Sequence, residues 1–128
     1  MNPKKIYVID SGLQEAMSLR IMGDWGALLE NLVYMHFRRQ GLAPEYYVTK
    51  NGVEVDFVLS AKDRGEYRLI QVCWDIHDPD TQKREVGALL PAMDELDLKR
   101  GTIVTWLDED LSDKRLEIVP VWKWLLAE

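Results

Sequence analysis

Cysteine occurs once in the 128 residues, as Cys73, and histidine twice, as His36 and His77. A single thiol excludes an internal disulfide and a cysteine-based zinc cage. Neither histidine has a second at ligand spacing, so both read as structural. Long apolar runs are also missing, since nothing approaches the roughly 18 residues of a membrane span. After Met1-Asn2-Pro3-Lys4-Lys5 only Ile6 to Ile9 precede Asp10, too short for the apolar part of a signal peptide. The expectation is a cytoplasmic protein. Positive charge is scarce as well: 16 Lys and Arg face 22 Asp and Glu, a net charge of −6. Domains that hold nucleic acid on an extended basic face usually carry the opposite balance. The pairs Arg38-Arg39, Lys83-Arg84, Lys99-Arg100 and Lys114-Arg115 therefore read as solvated surface.

What is present is an ordinary globular balance, 47% apolar and 30% charged residues, in a length that fits one domain, 1–128. Ile6 to Ile9 reads as a short strand and Leu13 to Leu19 as a helical turn or two. Asp24 suits the N-cap of a helix from Trp25 to about Gln40, stopped by Gly41. Trp25, Leu28, Leu29, Leu32, Val33, His36 and Phe37 recur at helical spacing, and Arg38 and Arg39 suit its negative end. Three strands follow. Tyr46 to Val48 precedes the turn signal Asn51-Gly52. In Val53 to Ser60, alternation puts Val53, Val55, Phe57 and Leu59 on one face and Glu54, Asp56 and Val58 on the other. From Tyr67 to about Trp74, Leu69, Gln71 and Cys73 point one way and Ile70, Val72 and Trp74 the other. Asp78-Pro79 opens a second long helix to about Leu96, which Pro91 should kink or split. Thr102 to Trp106 and Leu116 to Val119 are strands, and Pro120 opens a last helical turn. The order implies a layered α/β (α+β) fold, with the Thr102 strand parallel to the third strand across the helical crossover.

Strands side by side bring Asp56 and Gln71 together, and Glu30 lies at the edge of the first helix's apolar stripe. Hard oxygen donors so placed suit Mg2+. The bland alternatives are a solvated carboxylate for Asp56, a helix-surface residue for Glu30, a buried backbone-bonded amide for Gln71 and a small hydrophobe for Cys73.

The acidic Glu54-Val55-Asp56 strand followed by Gln71-Val72-Cys73 resembles the PD-(D/E)XK, or restriction-endonuclease-like, superfamily. There an Asp on one strand is followed on the next by Glu-X-Lys. Asp56 matches, Gln71 replaces the Glu without its charge, and Cys73 stands where the Lys belongs. A second resemblance covers nearly the whole chain: Lys5-Ile6-Tyr7, Asp10-Ser11-Gly12-Leu13, Leu29-Glu30-Asn31-Leu32-Val33, Arg38-Arg39-Gln40-Gly41, Tyr46-Tyr47, Glu54 to Val58, Leu69 to Val72, and Thr81 with Arg84-Glu85. In order and spacing these are similar to the C-terminal domain, of unassigned function, of a group of prokaryotic AAA-type ATPases. No Gly-rich phosphate loop ending in Gly-Lys-Ser/Thr is present. The chain is thus expected to be a C-terminal fragment, excised or left by a truncated gene, whose partner is the ATPase portion.

The resemblance implies a restriction-endonuclease-like mixed sheet flanked by two long helices. Asp56, Glu30 and Gln71 are the catalytic candidates, with Asp56 and Glu30 as candidate Mg2+ ligands. Cys73, Glu54 and Arg84 are expected around the pocket. Asp75, at the strand's exposed end, could add a carboxylate. Losing both Glu and Lys favours an accessory or interaction domain with no required cofactor. The alternatives are a Mg2+-dependent DNA endonuclease, recovered if Arg84, Arg38 or a lysine reaches the pocket, and a purely structural interaction domain. An exposed Trp in Trp122-Lys123-Trp124 would be a candidate contact for the ATPase portion.

Overall fold

The computed structural model describes residues 24–61 and 66–127. The strand expected at Ile6 to Ile9 and the helical turns at Leu13 to Leu19 lie outside them. Five strands form one sheet in sequence order: β1 (Glu45–Val48), β2 (Glu54–Ala61), β3 (Glu66–Val72), β4 (Gly101–Thr105) and β5 (Leu116–Pro120). The β1–β2 and β2–β3 pairs are antiparallel, and β3–β4 and β4–β5 are parallel. Among the described residues, helices α1 (Trp25–Arg39), α2 (Pro79–Glu95) and α3 (Val121–Ala127) accompany the sheet. The mixed sheet, the two long helices and the parallel crossover are as the sequence implies.

Helix α1 starts where Asp24 accepts a hydrogen bond from the Ala27 N–H at 2.9 Å. It ends at the Gln40 cap, and Gly41 then takes φ +78°, a left-handed conformation that glycine enters without a Cβ penalty. His36, Arg38 and Arg39 occupy its last turn, facing the negative end of the helix dipole. Leu29, Val33 and Phe37, four apart, pack on one face of the sheet against Phe57, Leu59, Ile70, Val72, Val104 and Val119, joined by Val121 and Trp124 of α3. Helix α2 covers the opposite face, where Ala88, Leu89, Ala92 and Met93 meet Val55, Leu69, Cys73, Ile103, Leu116 and Ile118. Each large side chain buried this way contributes about 1.5–3 kcal/mol. The alternation expected for β3 holds, with Leu69 and Cys73 toward α2 and Ile70 and Val72 toward α1.

Strand β2 departs from the expected alternation. Val55 packs in the α2 layer while Phe57 and Leu59 pack in the α1 layer, and Val53 is exposed. The cause is a register shift. Tyr47 pairs with Val55, but Glu45 pairs with Val58, so β2 carries one extra residue. A bulge of this kind reverses the facing of everything beyond it. Glu54, one residue before Val55, is therefore directed away from the α2 layer.

Two smaller differences concern the turn and the second helix. At the hairpin tip only Gly52 has positive φ (+81°), and Val53 O accepts from the Thr49 N–H. The loop is thus three residues ending in a left-handed glycine, not a two-residue turn. Helix α2 runs unbroken through Pro91. The ring removes one N–H donor, and the carbonyl four residues back belongs to Gly87, which is exposed and can reach water. At the end of α2, Glu95 accepts from the Tyr47 hydroxyl at 2.8 Å and from the Lys50 N–H, tying the hairpin to the helix.

Gly101 opens β4 directly beneath α2. A Cβ there would lie 2.9 Å from Met93 Sδ and 3.0 Å from the Leu89 side chain. Gly101→Ala is expected to destabilise by about 1–2 kcal/mol, the low part of the usual overpacking range because a thioether can yield. Urea unfolding would read this as a lower midpoint at unchanged slope, and an unchanged midpoint would contradict it.

Candidate functional site

Four segments converge at the C-terminal end of β3. The first turns of α1 bring Asp24 and Glu30, and β2 brings Asp56. The end of β3 brings Cys73, Trp74 and Asp75, and the start of α2 brings Asp78, Thr81, Arg84 and Glu85. They enclose a pocket of about 460 Å³, at the strand ends where open α/β sheets generally hold ligands. Among the described residues, six carboxylates face one guanidinium. The expected Asp56, Glu30, Cys73, Arg84 and Asp75 are all brought here. Glu54 and Gln71 do not line the pocket, Glu54 because the bulge turns it away.

Gln71 instead supports the floor. It is 2% exposed, and its Oε1 accepts from the Asp56 N–H at 2.7 Å. In return Asp56 Oδ2 accepts from the Val72 N–H at 2.8 Å. The β2–β3 ladder runs from Ala61↔Glu66 to Phe57↔Ile70. Beyond it, at the bulge, these two side chains take over the bonding of backbone groups in place of the ladder. The Asp56 carboxylate is thereby fixed at the pocket wall.

Cys73 sits where the resemblance expects a cation. Its N–H continues the sheet by donating to Val104 O at 2.9 Å. Burial foremost, with the neighbouring Glu85 carboxylate, pushes the thiol up to about 12. It is neutral at physiological pH and cannot stand in for lysine. The cation that does reach the pocket is Arg84, whose Nε lies 3.4 Å from Glu85 Oε1 with the arginine side chain 71% exposed.

Glu85 is a member of the site that the sequence offered only as part of the Thr81 and Arg84-Glu85 resemblance. Burial raises its pKa above the ordinary 4.5, Asp56 adds to the rise, Arg84 opposes it and Glu30 adds further. Glu85, Asp56 and Glu30 therefore share one field. The signal was available: Thr81, Glu85, Ala88, Leu89 and Ala92 lie on one stripe of α2, and a carboxylate on an apolar stripe is out of place unless it faces a cavity. Between the unfolded and the raised folded value, the folded protein holds more protons than the unfolded chain. That contribution to stability is fully present below 4.5 and is lost as pH rises through the folded pKa. Glu85→Gln is expected to remove the loss. Urea midpoints from about pH 4 to 8 should fall less steeply for the variant than for the native protein, and parallel profiles would contradict this.

The remaining expected residues have structural partners. Asp75 Oδ1 accepts from the His77 N–H at 2.8 Å. His77 Nε2 lies 3.1 Å from Asp108 Oδ1, and Asp108 Oδ2 accepts from the Ile76 N–H. Asp78 caps α2 through the Thr81 N–H and hydroxyl, and these bonds hold its carboxyl below the usual range. His36 packs edge-on to Trp124 at 5.1 Å. Trp124 is buried and Trp122 exposed.

Among the described residues, no group of three or more His, Cys, Asp or Glu is arranged to hold a metal ion. Nor is any described helix long and apolar enough to cross a membrane.

The chain is 35% identical to the "Uncharacterized protein MJ1544" of Methanocaldococcus jannaschii over 135 residues, 96% of this chain and 29% of that protein. The chain thus spans less than a third of the relative's length. No solved structure matches. Residues 25–124, which hold both long helices, the five described strands and the pocket's described lining apart from Asp24, match the model of a family described as a domain of unknown function, DUF4143, and the chain belongs to that family.

Proposed function

We propose that this domain is an accessory, protein-interacting module of a larger AAA-type ATPase, built on a nuclease-like fold whose metal site is incomplete. The observation that carries the reading is the fate of the two positions after the Asp strand. Gln71 is uncharged, and its carbonyl oxygen is bonded to the Asp56 N–H. Cys73 is a buried neutral thiol. Loss of one transition-state-stabilising electrostatic group commonly costs about 10²–10³ in rate, and here both a carboxylate and an ammonium are replaced. Most of the relative lies outside the match, which leaves room for a catalytic portion elsewhere in such a protein.

A second reading, a Mg2+-dependent DNA nuclease, is favoured by one observation. Glu85 and Arg84 bring to the pocket the two kinds of charge that Gln71 and Cys73 omit. One assay separates the readings: incubation with Mg2+ or Mn2+ and single-stranded, double-stranded and branched DNA, beside an Asp56→Ala control. The accessory reading expects no cleavage that the substitution abolishes. Cleavage lost in Asp56→Ala would sink it.

A further inference from the structure

Three tryptophans far apart in sequence form one row at the pocket's edge. Trp74 and Trp106 extend β3 and β4 by two residues past the Val72↔Val104 pair, and the Trp106 N–H donates to Trp74 O at 3.3 Å. Their rings stack at 4.8 Å with 8° between planes. Trp25, on the first turn of α1, lies against the other side of Trp74 at 5.3 Å and 31°. Trp74 also lines the acidic pocket. The two ends of the row are open, Trp25 being 45% and Trp106 40% exposed, and Leu107, next in the chain after Trp106, is exposed as well. Indoles so exposed and stacked exceed what the core requires, and clustered exposed apolar surface marks a binding face.

Charge decides what that face accepts. Asp24 precedes Trp25 and Asp75 follows Trp74, while Asp78, Glu30, Asp56 and Glu85 line the adjoining pocket, with Arg84 as the cation among its described residues. His77 and Asp108 pair with each other nearby. A nucleic acid strand would stack its bases on the row but carry its phosphates toward these carboxylates. A planar cation meets neither conflict, because the faces of tryptophan attract it and the carboxylates receive its charge.

We propose that the Trp25–Trp74–Trp106 row with its acidic rim is a docking surface for an arginine-bearing segment of a partner protein. This rests on the accessory reading for its biological sense but not for its test. The folded domain is titrated with a short peptide of alternating Arg and Gly, followed by tryptophan fluorescence and calorimetry. The same titration uses a Lys-Gly peptide, a Glu-Gly peptide and an oligothymidylate. Arg-Gly binding is expected to be tighter than Lys-Gly, weakened by salt, and absent for Glu-Gly. Trp106→Ala should lower Arg-Gly affinity about tenfold, between an exposed and a desolvated cation–π contact. Asp75→Asn, which keeps its bond to the His77 N–H while removing a charge, should lower it several-fold without touching the packing. Failure to bind Arg-Gly, binding indifferent to both substitutions, or preference for oligothymidylate would overturn the proposal. DNA cleavage lost in Asp56→Ala would end the accessory reading and leave this titration unaffected, so the two failures are distinguishable.

Discussion

Phe57→Ala is expected to destabilise the domain by about 3–5 kcal/mol, the largest single effect among the substitutions considered. Phe57 is 1% exposed. Its ring meets Phe37 edge-on at 5.7 Å and Tyr34 at 6.5 Å, so it joins β2 to the middle and end of α1. Truncation removes the transfer energy of the ring and leaves a cavity walled by sheet on one side and helix on the other, which limits collapse. Against a typical total of about 5–15 kcal/mol, such a loss makes the fold marginal. Denaturant unfolding measures it. Val55→Ala supplies a control, because Val55 lies in the opposite layer, and the two effects should add within about 0.5 kcal/mol. Strong coupling between them would contradict the assignment of Val55 and Phe57 to different layers.

Gln71→Ala is expected to cost about 3 kcal/mol or more. The Asp56 N–H loses its acceptor, worth about 1–3 kcal/mol when a part-buried donor is orphaned, and the buried side chain leaves a void. The companion experiment tests the geometry of the floor. Asp56→Asn retains an oxygen for the Val72 N–H and removes a charge beside Glu85, so it should be near neutral or stabilising. Asp56→Ala removes both oxygen and charge and should destabilise by about 1–3 kcal/mol. Equal effects of Asn and Ala at Asp56 would show that the bond to Val72 carries no weight. In the Asn variant Glu85 should titrate lower than in the native protein, since one of the carboxylates that raise its pKa is gone.

The fold was legible where a local period and a burial boundary coincide. The stripe of Leu29, Val33 and Phe37, the Asp24 and Asp78 caps and the two faces of β3 follow from spacing alone. The parallel placement of β4 follows from an intervening helix long enough for a crossover. The bulge in β2 was not legible, because Val55 and Phe57 are both apolar and satisfy either facing; only pairing with β1 and β3 distinguishes them. In the site, proximity of Asp56, Glu30, Cys73 and Arg84 was foreseen from the resemblance. Gln71 belongs under the pocket rather than in it, because a bulge needs its freed amides bonded. The tryptophan row was hidden for a different reason. Residues 25, 74 and 106 lie on three elements, and no sequence window contains two of them.

Along the paired stretches of the strands, backbone bonds backbone. Beside the pocket the seam between β2 and β3 is sewn by the Asp56 carboxylate and the Gln71 amide. The fold thus depends here on a carboxylate that also lines the pocket. A lineage that abandoned any reaction here would still have reason to retain an oxygen-bearing Asp or Asn at 56, since a side chain without that oxygen opens the seam. The residue that most invites a catalytic interpretation thus carries an oxygen that the architecture alone already uses.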